Sequence, residues 1–146
     1  MNTHQSTLTI HSITSEAAQV LVQAAQKKAR ELGFAISICV LEATGRTKAF
    51  AAMDGAPPVS YETAEKKAKC ALGFGMSTGQ SWYDFIKDDP ILMNGVTQLP
   101  DFILLGGGSP IQLNGSIVGA IGISGGHYKQ DEACVQSALS ALQNLK

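Results

Sequence analysis

Four charged residues, Asp54, Lys67, Asp131 and Glu132, fall beside strand ends and helix starts in the pattern of the chain. If they converge, they form a set able to move protons, because burial lowers the pKa of an ammonium toward that of a working base. Lys67 is then the base or an imine-forming amine, and Asp131 or Glu132 orients it. A second reading of Lys67 stands beside this one. On a helical wheel it lies at the edge of an alanine face, next to Ala64 and Ala71, away from Lys66 and Lys69. From there it either snorkels outward along its stem or points into a pocket roofed by small side chains. His127, between a strand and a helix start, is either a loop histidine or a ligand. His4 and His11, near the terminus, rank below it. Gly106-Gly107-Gly108 is a tight turn or a row of N–H groups facing an anion. It is no nucleotide loop, since no Gly-Lys-Ser/Thr follows.

These residues need elements to hold them. Ser15 to Leu32 reads as a helix, with Ala18, Leu21, Val22, Ala25, Ala29 and Leu32 on one face and Gly33 as its stop. Ala35–Glu42 and Thr47–Met53 form an antiparallel hairpin. Pro57 and Pro58 end the sheet there, and Ser60 caps the helix that carries Lys67. Gly73 to Pro100 is irregular, with a short helix bearing Trp82, Tyr83, Phe85 and Ile86 and with Met93 and Leu99 as anchors. It is the region placed to cover a pocket. Asp101–Leu105, Pro110–Leu113 and Ser116–Ser124 read as the third, fourth and fifth strands. Asn114-Gly115 is the turn between the last two, because both turn positions need positive φ. A final helix runs from about Gln130 to Leu145.

The last strand has a small face: Val118, Ala120, Gly122 and Ser124 oppose Ile117, Gly119, Ile121 and Ile123. Glycine inside a strand is costly unless something must come close. Gly119 and Gly122 are thus the floor of a tightly packed helix or a ligand. This strand and the alanine face bearing Lys67 are expected to meet around a shared hollow.

The totals suit a single domain over 1–146. Hydrophobic residues make up 45% and charged residues 16%, which argues for a packed core over disorder. A net charge of −1 without a basic stripe argues against nucleic acid. No apolar run reaches membrane-spanning length. The three cysteines, Cys39, Cys70 and Cys134, form no zinc spacing and read as free thiols. The N-terminal stretch shows no signal-peptide pattern, so a cytoplasmic location is the expectation.

The segment AMDGAPPVSYETAEKKAKCAL (Ala52 to Leu72) resembles the first motif of the GlcG/HbpS family. GGGSPIQLNGSIVGAIGISGGHYKQDE (Gly106 to Glu132) is similar to its second motif, and ICVLEATGRTKAF to its strand pair. The resemblance implies an α/β (α+β) fold: a profilin-like three-layer α/β/α arrangement with one five-stranded antiparallel sheet and flanking helices. It also implies haem binding or degradation, a relative at the C-terminal end of the PduO adenosyltransferases, symmetric homo-oligomers, and accessory roles beside catabolic enzymes. By match, Asp54, Gly55, Ser60, Lys67, Gly119, Gly122, Ser124, Gly125, Asp131 and Glu132 carry the family pattern. Glu42 and Cys70 depart from it, and His127 lies at a variable position.

The leading expectation is therefore a protein that binds haem or a related tetrapyrrole, with His127, Tyr61 and Lys67 as axial donors to test. The ligand-binding set is Asp54, Ser60, Tyr61, Lys67, Gly122, Ser124, Gly125 and His127; the catalytic set is Lys67, Asp131 and Glu132. The rival is an enzyme acting on a small carboxylate by isomerisation or hydrolytic deamination, with backbone near Gly125 holding the carboxylate. A third reading is an oligomeric helper without chemistry.

Overall fold

The computed structural model describes residues 6–145, so His4 lies outside the described residues. Helix α1 (Ser15–Leu32) opens on Thr14, whose hydroxyl accepts from the Ala17 amide, and closes on Gly33 at φ 83°. Strands β1 (Ser37–Glu42) and β2 (Thr47–Ala52) form the predicted hairpin. Helix α2 (Val59–Phe74) follows, then the short helices α3 (Gln80–Ile86) and α4 (Pro90–Gly95) and one 3-10 turn. Strands β3 (Gly108–Leu113) and β4 (Ser116–Ser124) turn at Asn114 (φ 51°) and Gly115 (φ 80°). Helix α5 (Tyr128–Gln143) ends the chain.

The sheet is antiparallel with order β2-β1-β4-β3. Among the described residues it has four strands, not the five expected. Asp101–Leu105 is not a strand. Its apolar side chains go instead to a satellite cluster, where Phe102 packs with Trp82, Ile86 and Val96. A short continuous apolar run does not distinguish a strand from a segment anchored by its side chains.

Helices α1 and α5 cover one face of the sheet. Their Leu21, Ala25, Ala29, Cys134 and Ala138 meet Ile36, Ile38, Val40, Ile121 and Ile123. Helix α2 covers the other face, with Ala64 and Ala68 against Cys39 and Leu41. All six residues of β1 are therefore buried. Val118 is a correction to the expected small face. The β3–β4 register moves from Ile111 opposite Gly119 to Gln112 opposite Ile117, and Val118 joins the α1–α5 core. A bulge adds one residue to one strand and so reverses which way the next side chain points.

Gly122 faces α2. A Cβ there would collide with the Ala64 carbonyl oxygen and lie 2.5 Å from the Ala68 nitrogen. The close neighbour that this strand glycine implied is a helix backbone. Gly119 instead faces the Leu41 carbonyl and Ile13. Leu99, expected to be an anchor, is exposed, whereas Met93 packs against the satellite cluster; Leu145, at the expected end of the last helix, is exposed as well. No helix among the described residues is long and apolar enough to cross a membrane.

Candidate functional site

Lys67 lies on the inner side of α2 and is 1% exposed. Its ammonium donates to the Ile123 carbonyl at 2.9 Å and to Asp131 Oδ2 at 3.0 Å. The other Asp131 oxygen accepts from the Gly126 amide at 3.1 Å. One ion pair thus ties together α2, the end of β4, the glycine turn after it and the first turn of α5. Burial pushes the Lys67 pKa down, and the Asp131 charge, the Asp131 hydrogen bond and the Glu132 charge partly offset this. Burial pushes the Asp131 pKa up, against the opposing pull of Lys67 and of the amides of Gly126 and Gly125. For both partners the loss of water outweighs the attraction, as is usual for buried pairs.

Gly107 lies against this pair. A Cβ on it would lie 2.6 Å from the Ile123 oxygen, 2.9 Å from Lys67 Nζ and 3.0 Å from Asp131 Cβ. The Gly107 carbonyl accepts from the Ile123 amide at 2.8 Å. Glu132 is half-buried beneath the preceding residue: a Cβ on Gly106 would lie 2.6 Å from its Oε1. The α2 face and the last strand do meet, but they meet packed rather than around a hollow. The ammonium neither snorkels outward nor faces an open pocket.

A hollow of about 300 Å³ opens next to this packed centre. Gly79, Gln80, Tyr83, Leu104, Leu105, Gly106 and Tyr128 line it. A smaller one of about 30 Å³ lies between Thr78, Gly108, Ser109 and Glu132. Neither is lined by Lys67 or Asp131.

The remaining predicted residues are spread out. Ser124 is buried and sits opposite Ser37 in the sheet. Ser60 does not cap α2, which begins one residue earlier with Pro58 before it and has no side-chain cap. Instead Ser60 is fully buried, bonded to Ser37 Oγ at 2.8 Å and donating to the Pro57 carbonyl at 2.5 Å. A hydroxyl at a helix start reads as a cap in sequence, but a neighbouring strand can claim it. Gly125 presses against the Ala35 carbonyl and lies 2.8 Å (Cβ position) from Ile36 Cα. Asp54 is exposed in the turn after β2, and Tyr61 is exposed against Phe50 with ring centroids 5.8 Å apart. The structure does not bring these two to the Lys67 centre.

His127 is the N-cap of α5, which therefore starts before the expected Gln130. Its Nδ1 accepts from the Lys129 amide at 3.1 Å, and its ring lies 4.3 Å from that of Tyr128. The imidazole thus lies tilted against a residue of the larger hollow, with Nε2 outside the cap. Among the described residues no three His, Cys, Asp or Glu side chains cluster to hold a metal ion. The sequence reading missed Tyr128, Leu104, Leu105 and Gly106 as lining residues. The irregular stretch around Tyr83 was the one visible signal of a covered pocket.

Several proteins resemble this one. A 15.0 kDa protein encoded in the dhaT-dhaS intergenic region of Citrobacter freundii is 31% identical over 93% of this chain and 96% of its own. Protein GlcG of Escherichia coli K12 is 28% identical over 77% of this chain and 81% of its own. The corrinoid adenosyltransferase PduO of Salmonella typhimurium is 29% identical over 84% of this chain but only 36% of its own length. Among solved structures, Klebsiella pneumoniae ORFY superposes with a TM-score of 0.90 at 28% identity, covering 99% of this chain and 100% of that one. A PduOC–haem complex superposes with a TM-score of 0.82 at 27% identity, covering 89% and 94%. A double variant of Streptomyces reticuli HbpS gives 0.82 at 28% identity, covering 97% and 94%. A family model described as haem-degrading protein, HbpS-like, matches residues 13–140, and the chain belongs to that family.

Proposed function

We propose that this protein binds haem or a related tetrapyrrole in the hollow between α3, residues 104–106 and the start of α5. The observation that carries the reading is the hollow itself. Its about 300 Å³ lies at the lower end of small-molecule sites, its walls are leucine, glycine and tyrosine with one glutamine, Gln80, and it opens to solvent. A flat macrocycle needs such an apolar slot and one donor for its metal. The donors at hand are the Tyr83 and Tyr128 phenols, with the His127 imidazole beside Tyr128. A structural relative forms a haem complex, which supports the same class of ligand here. When bound, haem supplies the iron chemistry; the residues of this chain orient the ring and shield one face of it from water. Lys67 is a poor donor in this arrangement, since its ammonium already serves Ile123 and Asp131.

The test is a haemin titration followed by the Soret band and by quenching of Trp82, the sole tryptophan, next to Tyr83 in α3. A saturable shift with matching quenching is expected, and Leu105→Asp should abolish both. A flat difference spectrum at micromolar protein removes the reading.

The enzymatic alternative has one observation in its favour: burial lowers the pKa of Lys67, with Glu132 close by. Against it stands enclosure, since the Lys67 side chain is 2% exposed in its ion pair. Turnover of small carboxylates that is unchanged by Lys67→Met discards that alternative.

A further inference from the structure

The geometry points to Lys67 and Asp131 as positioning residues for the ligand hollow, holding its walls from behind. This inference rests on the tetrapyrrole reading above and deepens it. Gly106 and Tyr128 supply walls of the hollow; Gly107, the next residue after Gly106, lies against the pair, and Tyr128 opens the helix whose first turn holds Asp131. Gly107 has the ammonium and Asp131 Cβ directly behind it, and its carbonyl is bonded to the Ile123 amide. The Ile123 carbonyl is in turn the second acceptor of Lys67. Tyr128 begins α5, and Asp131 fixes that helix start by accepting from Gly126 in the turn before it. Gly79 follows from the same packing, since a Cβ there would lie 3.0 Å from Gly106 Cα.

This arrangement explains why a charged pair occupies a place that an apolar pair could fill. An apolar pair would hold α2 to the sheet without directional bonds to Ile123 and Gly126. The hydrogen bonds of the pair aim a backbone wall, and glycine at 106 and 107 lets that wall come down onto Glu132 and onto the pair. The pair touches neither hollow, so its influence on a ligand passes through Gly106, Gly107 and Tyr128.

The test uses the full chain as Lys67→Met, Asp131→Asn and the double variant Lys67→Met/Asp131→Asn. A pair that serves only charge balance is repaired when both charges go; a pair that aims a wall is not. Two readouts are taken: hydrogen exchange of residues 104–108 with α1 as internal reference, and the haemin dissociation constant. In the double variant, exchange at 104–108 is expected to quicken and haemin affinity to weaken by about tenfold or more, the scale of one lost directional contact, while α1 stays protected. Asp131→Asn keeps the acceptor for Gly126 but leaves the ammonium buried without its carboxylate, so the double variant, which leaves no lone buried charge, carries the test if the single variants do not fold. Wild-type exchange at 104–108 in the double variant overturns the proposal. So does loss in Lys67→Met alone that the double variant restores. A wild-type chain with no Soret response overturns the tetrapyrrole reading, and the exchange result then decides the wall by itself.

Discussion

Gly122→Ala adds one carbon where β4 and α2 come closest. That carbon would overlap the Ala64 carbonyl oxygen and lie 2.5 Å from the Ala68 nitrogen and 3.1 Å from the Ala64 carbonyl carbon. All three atoms are helix backbone, so no side chain can rotate away. Ordinary contact requires α2 to retreat by about 1 Å, and close-packed interiors resist such shifts. Overpacking of this kind costs roughly 1–3 kcal/mol where side chains adjust, and the absence of any adjustable atom puts this site at or above the top of that range. The retreat also loosens Ala64 and Ala68 from Cys39 and Leu41, and it draws Lys67, one turn along, off Ile123 and Asp131. For 146 residues the unfolding entropy is about 0.3 kcal/mol per kelvin, so a loss of about 3 kcal/mol lowers the Tm by roughly 10 °C. Thermal and urea unfolding of Gly122→Ala beside wild type measure this directly. A Tm within about 2 °C of wild type would show that α2 does not rest on this glycine and would refute the reasoning.

Other perturbations have different expected signs. Gly73→Ala lies in the same helix with nothing within 4 Å of the added carbon and should raise stability by roughly 0.5–1 kcal/mol, read as a higher urea midpoint. Burial pushes the Cys39 thiol from 9.0 up to about 12 and the Cys134 thiol up to about 11. The unfolded chain therefore sheds those protons first, so this stability is complete below pH 9 and is lost as pH rises through about 11 to 12. Urea midpoints at pH 8 and 10 should differ, and a Cys39→Ala/Cys134→Ala chain with an unchanged alkaline decline would contradict this. Glu42 has its pKa lowered first by the Thr44 hydroxyl hydrogen bond, with the amides of Thr44 and Arg46 and the Arg46 charge adding to it against burial. Its stabilisation is present above pH 4.5 and is lost as pH falls through the lower folded value, so Glu42→Gln should flatten the acid limb of a stability–pH curve. Tyr83→Phe, Tyr128→Phe and His127→Ala separate the donors: the variant whose haemin spectrum changes shape identifies the iron ligand.

Local chemistry was readable wherever it governs local structure. Helix α1 with its Gly33 stop, the Asn114-Gly115 turn and the β1–β2 hairpin are where periodicity and turn residues place them. Gly122 announced a close neighbour, because a strand interior rarely holds glycine otherwise. The edge position of Lys67 on the alanine face was likewise visible.

What the chain order left open was decided by contacts between distant residues. A bulge at Val118, one residue long, changed the face of a side chain that alternation assigned to the other side. Asp101–Leu105 left the sheet for an aromatic cluster, with Phe102 and Trp82 centroids 5.2 Å apart. Ser60 exchanged a capping role for Ser37, 23 residues away. Asp131 became the partner of Lys67 from 64 positions along the chain, and Tyr83, Leu104 and Tyr128 came to share one hollow. Hydrophobic period and turn preference are properties of neighbours along the chain and can be read in order. The partner of a buried charge and the walls of a cavity depend on how the finished layers settle against each other, and only the tertiary structure determines that.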